Sequence, residues 1–228
     1  MSALVFLFSG PLIYNHGRSI PMHFLTFEGV EGSGKTTQIH LLLDWLRTHT
    51  DKVLHTREPG GTAIGDGIRE ILLHPDNTEM APEAEILLFS AARAQIVQQV
   101  IRPHLEQGWI VVCDRFADST LAYQGYGHGL SLDALRRITS FATGDLIPDL
   151  TIFLDLDVDT GLQRKAQTPE EWNRMEAKEV AYHRRVRDGY HALIAADPQR
   201  WLVLDADQPV DIIQMQMQHR VGELLGLG

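Results

Sequence analysis

Eight residues near the start of the chain, Gly29-Val30-Glu31-Gly32-Ser33-Gly34-Lys35-Thr36, fit the spacing G-x-x-x-x-G-K-[ST]. Its glycines let the backbone turn tightly, so that successive N–H groups can point at one phosphate chain. Lys35 can reach the β- and γ-phosphates of a nucleotide, and the Thr36 hydroxyl can ligate Mg²⁺. A Gly-rich turn alone would leave the Lys-Thr pair unexplained. Other positions suit the same anionic chemistry. Arg57 stands before Glu58-Pro59-Gly60-Gly61, well placed to hold an anionic group. Asp114 follows four apolar residues, as a metal-assisting carboxylate does beyond a phosphate loop, and Arg115 adds a cation beside it. Taken singly, Asp114 also reads as a helix N-cap, and either arginine as half of a surface ion pair. Phe89 and Arg93 are four apart and share one helix face, where a ring and a guanidinium could stack on a base and bond its edge. The same spacing also fits a core residue beside a surface one. Ser119, Tyr123 and Gln124, within 119–127, supply hydroxyls and an amide suited to a base or sugar, or else belong to a Gly-rich turn.

These residues must be held by regular elements. Apolar runs at 23–28, 52–56, 109–114, 150–156 and 201–205 are predicted as strands. Several, such as Ile110-Val111-Val112-Cys113, are apolar on both faces, which is the pattern of central parallel strands covered on both sides. Helical patterns fill 34–49, 61–73, 82–107, 131–143, 158–166, 176–196 and 209–225. Ser131 offers an N-cap, and Pro82-Glu83 a helix start. The expected fold is an α/β, doubly wound, five-stranded parallel sheet with ligands at the C-terminal ends of its strands. Residues 164–175 are polar and Pro-interrupted between two helices; they read equally as a lid over phosphates and as a surface loop.

The 228 residues suit one domain, here 22–228. The net charge of −10 argues against sequence-blind nucleic-acid binding, yet small nucleotides need only a local cluster of cations. The single cysteine, Cys113, forbids an internal disulfide and fits a reducing, cytoplasmic setting. Residues 1–21 hold an apolar run too short to span a bilayer and lack the features of a signal peptide. They read as a non-essential extension, with a membrane or partner contact as the minor alternative. The motifs Asn-Lys-x-Asp and Asp-x-x-Gly expected of a GTPase are absent. A small domain with strand-end arginines favours a kinase of a small phosphorylated acceptor.

The chain resembles bacterial thymidylate kinases. The resemblance runs through 27–37, Thr56-Arg57-Glu58-Pro59-Gly60-Gly61-Thr62, Leu88-Phe89-Ser90-Ala91-Ala92-Arg93, Asp114-Arg115-Phe116, Ala122-Tyr123-Gln124-Gly125 and 148–155, covering about 22–226. It implies ATP and dTMP as substrates, Mg²⁺ and a homodimer. It further implies that the loop Gly29 to Thr37 holds ATP phosphates, with Lys35 among its catalytic groups, and that Thr36 and Asp114 serve the metal. Glu31 would face the deoxyribose 3′-hydroxyl. Arg57 and Arg115 would hold the dTMP phosphate. Phe89 would stack on thymine and Arg93 bond its edge. Ser119, Tyr123 and Gln124 would line base and sugar, Tyr123 disfavouring a 2′-hydroxyl. In the lid the family's arginines are interrupted here, leaving Arg164, Lys165 and Arg174; Arg174 and Arg164 are the candidates to meet the transferring phosphoryl group. A UMP/CMP-type kinase and a non-catalytic nucleotide-binding module are the competing readings.

Overall fold

The computed structural model describes residues 23–167 and 178–227. The extension 1–21 and most of the expected lid, Arg174 included, lie outside the described residues. Five strands form one parallel sheet: β1 (His23–Gly29), β2 (Val53–Arg57), β3 (Ile110–Asp114), β4 (Leu150–Asp155) and β5 (Trp201–Asp205), in the order β2-β3-β1-β4-β5. Each of the five falls within a residue or two of the predicted run.

The strands alternate their side chains between two apolar layers. Leu25 and Phe27 of β1 and Leu150, Ile152 and Leu154 of β4 face one layer. There they meet α1 (Lys35–Arg47) and α9 (Val210–Leu225). Phe24, Val111 and Cys113 face the other layer, against α3 (Pro82–Ile96) and the π-helical turn Val97–Ile101 that extends it. Phe153 packs on the same side against Tyr190 and Trp201, the former from α8 (Val180–Ala196). The remaining helices are α2 (Ala63–Leu73), α4 (Arg102–Glu106), α5 (Ala117–Thr120), α6 (Leu132–Thr143) and α7 (Val158–Lys165). The Ser131 hydroxyl caps α6 as expected, accepting from the Ala134 N–H.

Two stretches differ from the sequence reading. The single helix predicted over 82–107 widens into the π turn before α4, just ahead of Pro103. A proline has no N–H to give and crowds the preceding turn, so the wider turn accommodates it. The loop expected at 119–127 is helical: α5 runs into a π-helical stretch, Leu121–Gly127. Its glycines mark close packing rather than a turn. A Cβ on Gly125 would meet Leu132, and one on Gly127 would meet the Tyr182 ring.

Candidate active site

The loop between β1 and α1 carries Gly29 through Thr37 at the C-terminal edge of the sheet. Gly32 and Gly34 have φ of 70° and 81°, the left-handed region that glycine enters without strain. Lys35 curls back over the loop and donates from Nζ to the carbonyls of Gly29 at 3.1 Å and Val30 at 3.3 Å. Burial and the nearby Arg115 push its ammonium down to about 8, against the pull of Glu31, Asp114 and Glu28. Thr36 and Thr37 are exposed on the first turn of α1, and Ser33 is buried. The start of α7 presses backbone to backbone on this loop: a Cβ at Gly161 would collide with the Glu31 carbonyl, and one at Gly32 with the Gly161 carbonyl.

Glu31 joins this loop to the next strand end. Its Oε1 accepts from Arg115 Nη2 at 3.1 Å and from the Tyr123 hydroxyl at 2.7 Å. Burial raises the pKa of this carboxyl, but Arg115, Lys35 and the Tyr123 hydrogen bond outweigh it and hold the group at about 2. The Arg115 guanidinium lies 4.9 Å from the Tyr123 ring centroid, a cation–π contact.

Arg115 itself has φ 66°, left-handed for a non-glycine residue. The residue that stabilises this turn, Glu28, had no role in the sequence reading. Its fully buried carboxylate accepts from Phe116 N at 2.9 Å, Ser119 N at 3.3 Å, Ser119 Oγ at 2.6 Å and the Tyr190 hydroxyl at 2.7 Å. Arg115 Nη1 stands 3.9 Å away. Burial raises the Glu28 carboxyl above its usual range, against Arg115 and these hydrogen bonds. The Ser119 hydroxyl is therefore engaged in holding the Arg115 turn. Glu28 is an acid at the end of an apolar strand, the same signal that singles out Asp114.

Asp114 ends β3 beside Arg57, its register partner on β2. It is not a helix cap; the residue before α5 is Phe116. Asp114 Oδ1 is buried without a hydrogen-bond partner among the described residues. Arg57 is exposed at its strand end. A third arginine, Arg69 of α2, donates to the Pro59 carbonyl at 2.9 Å. Burial lowers its pKa first, and repulsion from Arg57 and Arg115 lowers it further. Only a helical position on a mixed face marks Arg69 in the sequence, so it went unseen. Arg69 is repelled by both Arg57 and Arg115, and an anion among the three would relieve it.

Phe89 is half-buried and Arg93 is only 2% exposed, both on α3. Arg93 donates from Nε to Glu58 Oε2 at 2.7 Å, from Nη1 to Thr120 Oγ1 at 2.8 Å and from Nη2 to the Phe116 carbonyl at 3.1 Å. Two of its five N–H groups are left over. Burial pushes the Glu58 carboxyl up to about 7 against the pull of Arg93. Gln124 donates from Nε2 to Glu85 Oε1 at 2.8 Å. Arg164, at the end of α7, sends its donors to the loop after β5: Nη1 to the Ala206 carbonyl at 3.1 Å and Nη2 to Asp207 Oδ1 at 2.7 Å.

A phosphate loop, three arginines, and a helix carrying Phe89 and Arg93 thus share one edge of the sheet. The family model for thymidylate kinase matches residues 27–217. The chain belongs to the thymidylate kinase family. The thymidylate kinase of Roseiflexus sp. (strain RS-1) is 56% identical over 205 residues, covering 85% of this chain and 91% of the relative. That of Deinococcus radiodurans is 51% identical over 200 residues, covering 88% and 96%. The crystal structure of thymidylate kinase from Ehrlichia chaffeensis superposes with a TM-score of 0.72 at 32% identity, covering 88% of this chain and 99% of that one. The family's fold is that of the P-loop NTPases, and the β2-β3-β1-β4-β5 sheet flanked by helices conforms to it. No helix among the described residues is long and apolar enough to cross a membrane.

Proposed function

We propose that this protein transfers the γ-phosphoryl group of ATP to dTMP, giving ADP and dTDP. The observation that carries this reading is the Glu31–Arg115–Tyr123 cluster, through which the phosphate loop reaches across to the second strand end. The ATP phosphates lie along the N–H groups of 29–37 with Lys35 among them. The dTMP phosphate lies among Arg57, Arg69 and Arg115. The base lies against Phe89, within reach of the two spare Arg93 donors and of Gln124, while Glu31 and Tyr123 border the sugar.

The acceptor is a phosphate monoester, ionised near neutral pH, so it needs no strong general base. Catalysis is in-line placement of two anions and neutralisation of their charge. Lys35 and Arg115 supply fixed cations, and a lid cation completes them; of the two lid candidates, Arg174 is favoured, because Arg164 is committed to Ala206 and Asp207. Asp114 Oδ1, buried and unpaired among the described residues, and the exposed Thr36 hydroxyl fit Mg²⁺, which takes few protein oxygens and shares the rest with phosphate and water. The ion would neutralise phosphate charge as transfer proceeds.

Homodimer formation is supported by apolar side chains facing solvent on three neighbouring helices: Ile64 and Ile71 on α2, Leu87 on α3 and Phe141 on α6, the last 90% exposed. Light scattering at twice the chain mass, falling to the monomer with Phe141→Glu, checks it. The buried Cys113, a free thiol that donates to the Arg115 carbonyl, is consistent with a cytoplasmic enzyme. The kinase domain is read as 22–228, with 1–21 dispensable. The deciding experiment is ADP release with ATP and Mg²⁺ against dTMP, dUMP, UMP, CMP and GMP. dTMP should give the highest kcat/KM; nucleotide binding with no dTMP-dependent ADP would refute the reading.

A further inference from the structure

We infer that Glu85 sets the base preference of this site by fixing which way the Gln124 amide faces. The inference rests on the proposed place of the base beside Phe89, Arg93 and Gln124. Glu85, Phe89 and Arg93 follow one another at four-residue spacing along α3, so they form one stripe. Thr120 and Gln124, also four apart, lie opposite. Arg93 Nη1 donates to Thr120 Oγ1 at 2.8 Å, and Gln124 Nε2 donates to Glu85 Oε1 at 2.8 Å. These two contacts bracket Phe89. Glu85 is 1% exposed and Gln124 2%, so neither can turn out to water.

An amide side chain has a donor end and an acceptor end, whereas a carboxylate only accepts. Gln124 accordingly offers Nε2 to Glu85, and an ionised Glu85 holds it that way round. Oε1 is left as the acceptor, and it takes no hydrogen bond from a described residue. The His128 Nε2 lies 3.4 Å from the same Glu85 oxygen, and the His128 ring packs 4.9 Å from that of Tyr182. Tyr182 in turn donates to the Tyr123 carbonyl at 3.1 Å, which ties the helical stretch carrying Gln124 to α8.

An Oε1 left as the acceptor selects for a ring N–H. Thymine and uracil carry hydrogen on N3; cytosine has a lone pair there. Serving cytosine would require the amide to flip, which would press its oxygen against the Glu85 carboxylate with no proton between them. Leaving such buried groups unpaired is the strongest form of discrimination a polar pocket has. Glu85 touches no substrate atom; it is a positioning residue acting through Gln124.

Glu85→Gln tests this directly. A glutamine at 85 can meet Gln124 with either end, so both orientations of Gln124 become hydrogen-bonded. The kcat/KM for dTMP should fall about two- to fivefold as the acceptor loses its fixed orientation. The kcat/KM for dCMP should rise at least about tenfold, with the ATP KM unchanged. The exchanged pair Glu85→Gln with Gln124→Glu has a carboxylate at 124, which only accepts, so dCMP activity should return to the wild-type level. A loss of packing would depress both substrates together, and that result, or an unaltered dCMP:dTMP ratio, overturns the inference. If Glu85→Gln does not fold, the exchanged pair decides: a folded enzyme that phosphorylates dCMP as well as dTMP overturns it. Gln124→Ala with an unchanged dTMP KM would remove the base from Gln124 and the inference with it. Wild-type protein giving no ADP with dTMP would instead refute the proposed function.

Discussion

Replacing Gly161 with alanine tests the contact between α7 and the phosphate loop. A Cβ there would fall well inside 3.0 Å of the Glu31 carbonyl oxygen, and the reciprocal position, Gly32, is equally blocked by the Gly161 carbonyl. Neither obstacle is a flexible side-chain end; both are backbone. Restoring ordinary van der Waals contact needs a displacement of about 1 Å, and a shift of that size at a phosphoryl-transfer site costs about 10²-fold in rate. Overpacking of this kind destabilises by about 1–3 kcal/mol. For a chain of this length that lowers Tm by roughly 2–12 °C. Steady-state kinetics and a thermal melt measure both effects. The expected pattern is a large fall in kcat with the KM raised for both ATP and dTMP, because the displaced residue, Glu31, belongs to the phosphate loop and also borders the dTMP sugar. Wild-type kinetics at an unchanged Tm would show that helix and loop are free to part, and the coupling argued from the geometry would be wrong.

Further outcomes follow from other residues. Lys35→Ala should abolish transfer while leaving the far-ultraviolet circular dichroism unchanged; wild-type turnover in a coupled ADP assay would refute its role. Because free Lys35 titrates at about 8, the ATP KM of the enzyme should rise as pH passes upward through that value. Glu31, held at about 2 against an ordinary 4.5, makes the folded state bind fewer protons than the unfolded one between those values. Its contribution is complete above pH 4.5 and is lost as pH falls towards 2. It amounts to roughly 3 kcal/mol, and Glu31→Gln should flatten that part of the stability curve.

Much of the fold was legible because the central strands are apolar on both faces and end in charged residues. Gly29 to Thr37, Arg57, Asp114 and Arg115 could be found for the same reason: each sits where a strong local pattern stops. The helical stretch 117–127 could not. Its first N–H groups are satisfied by Glu28, 88 positions upstream of Phe116, so no local cap announces it. Its glycines looked like turn formers because the partners that need them small, Leu132 and Tyr182, lie on other helices. Arg69, Tyr190 and Glu85 lie on helices whose patterns say only which side is buried. The charge at Arg164 was visible, but not that Ala206 and Asp207 would take its hydrogen bonds.

The Glu28 cap has a consequence for how this site opens. A helix capped by its own neighbours can fray and re-form by itself. Here the Phe116 amide depends on a side chain from the middle strand of the sheet, and the Ser119 amide divides its hydrogen bond between that side chain and the Phe116 carbonyl. The segment bearing Arg115, Tyr123 and Gln124 therefore cannot come loose while β1 stays seated without leaving a buried carboxylate with the Tyr190 hydroxyl alone of its hydrogen-bond donors. In amide hydrogen exchange those two N–H groups should be as slow as the central strands, exchanging only when the whole domain unfolds. The acceptor side of the pocket is thus as durable as the sheet itself, and local breathing is left to elements anchored less deeply.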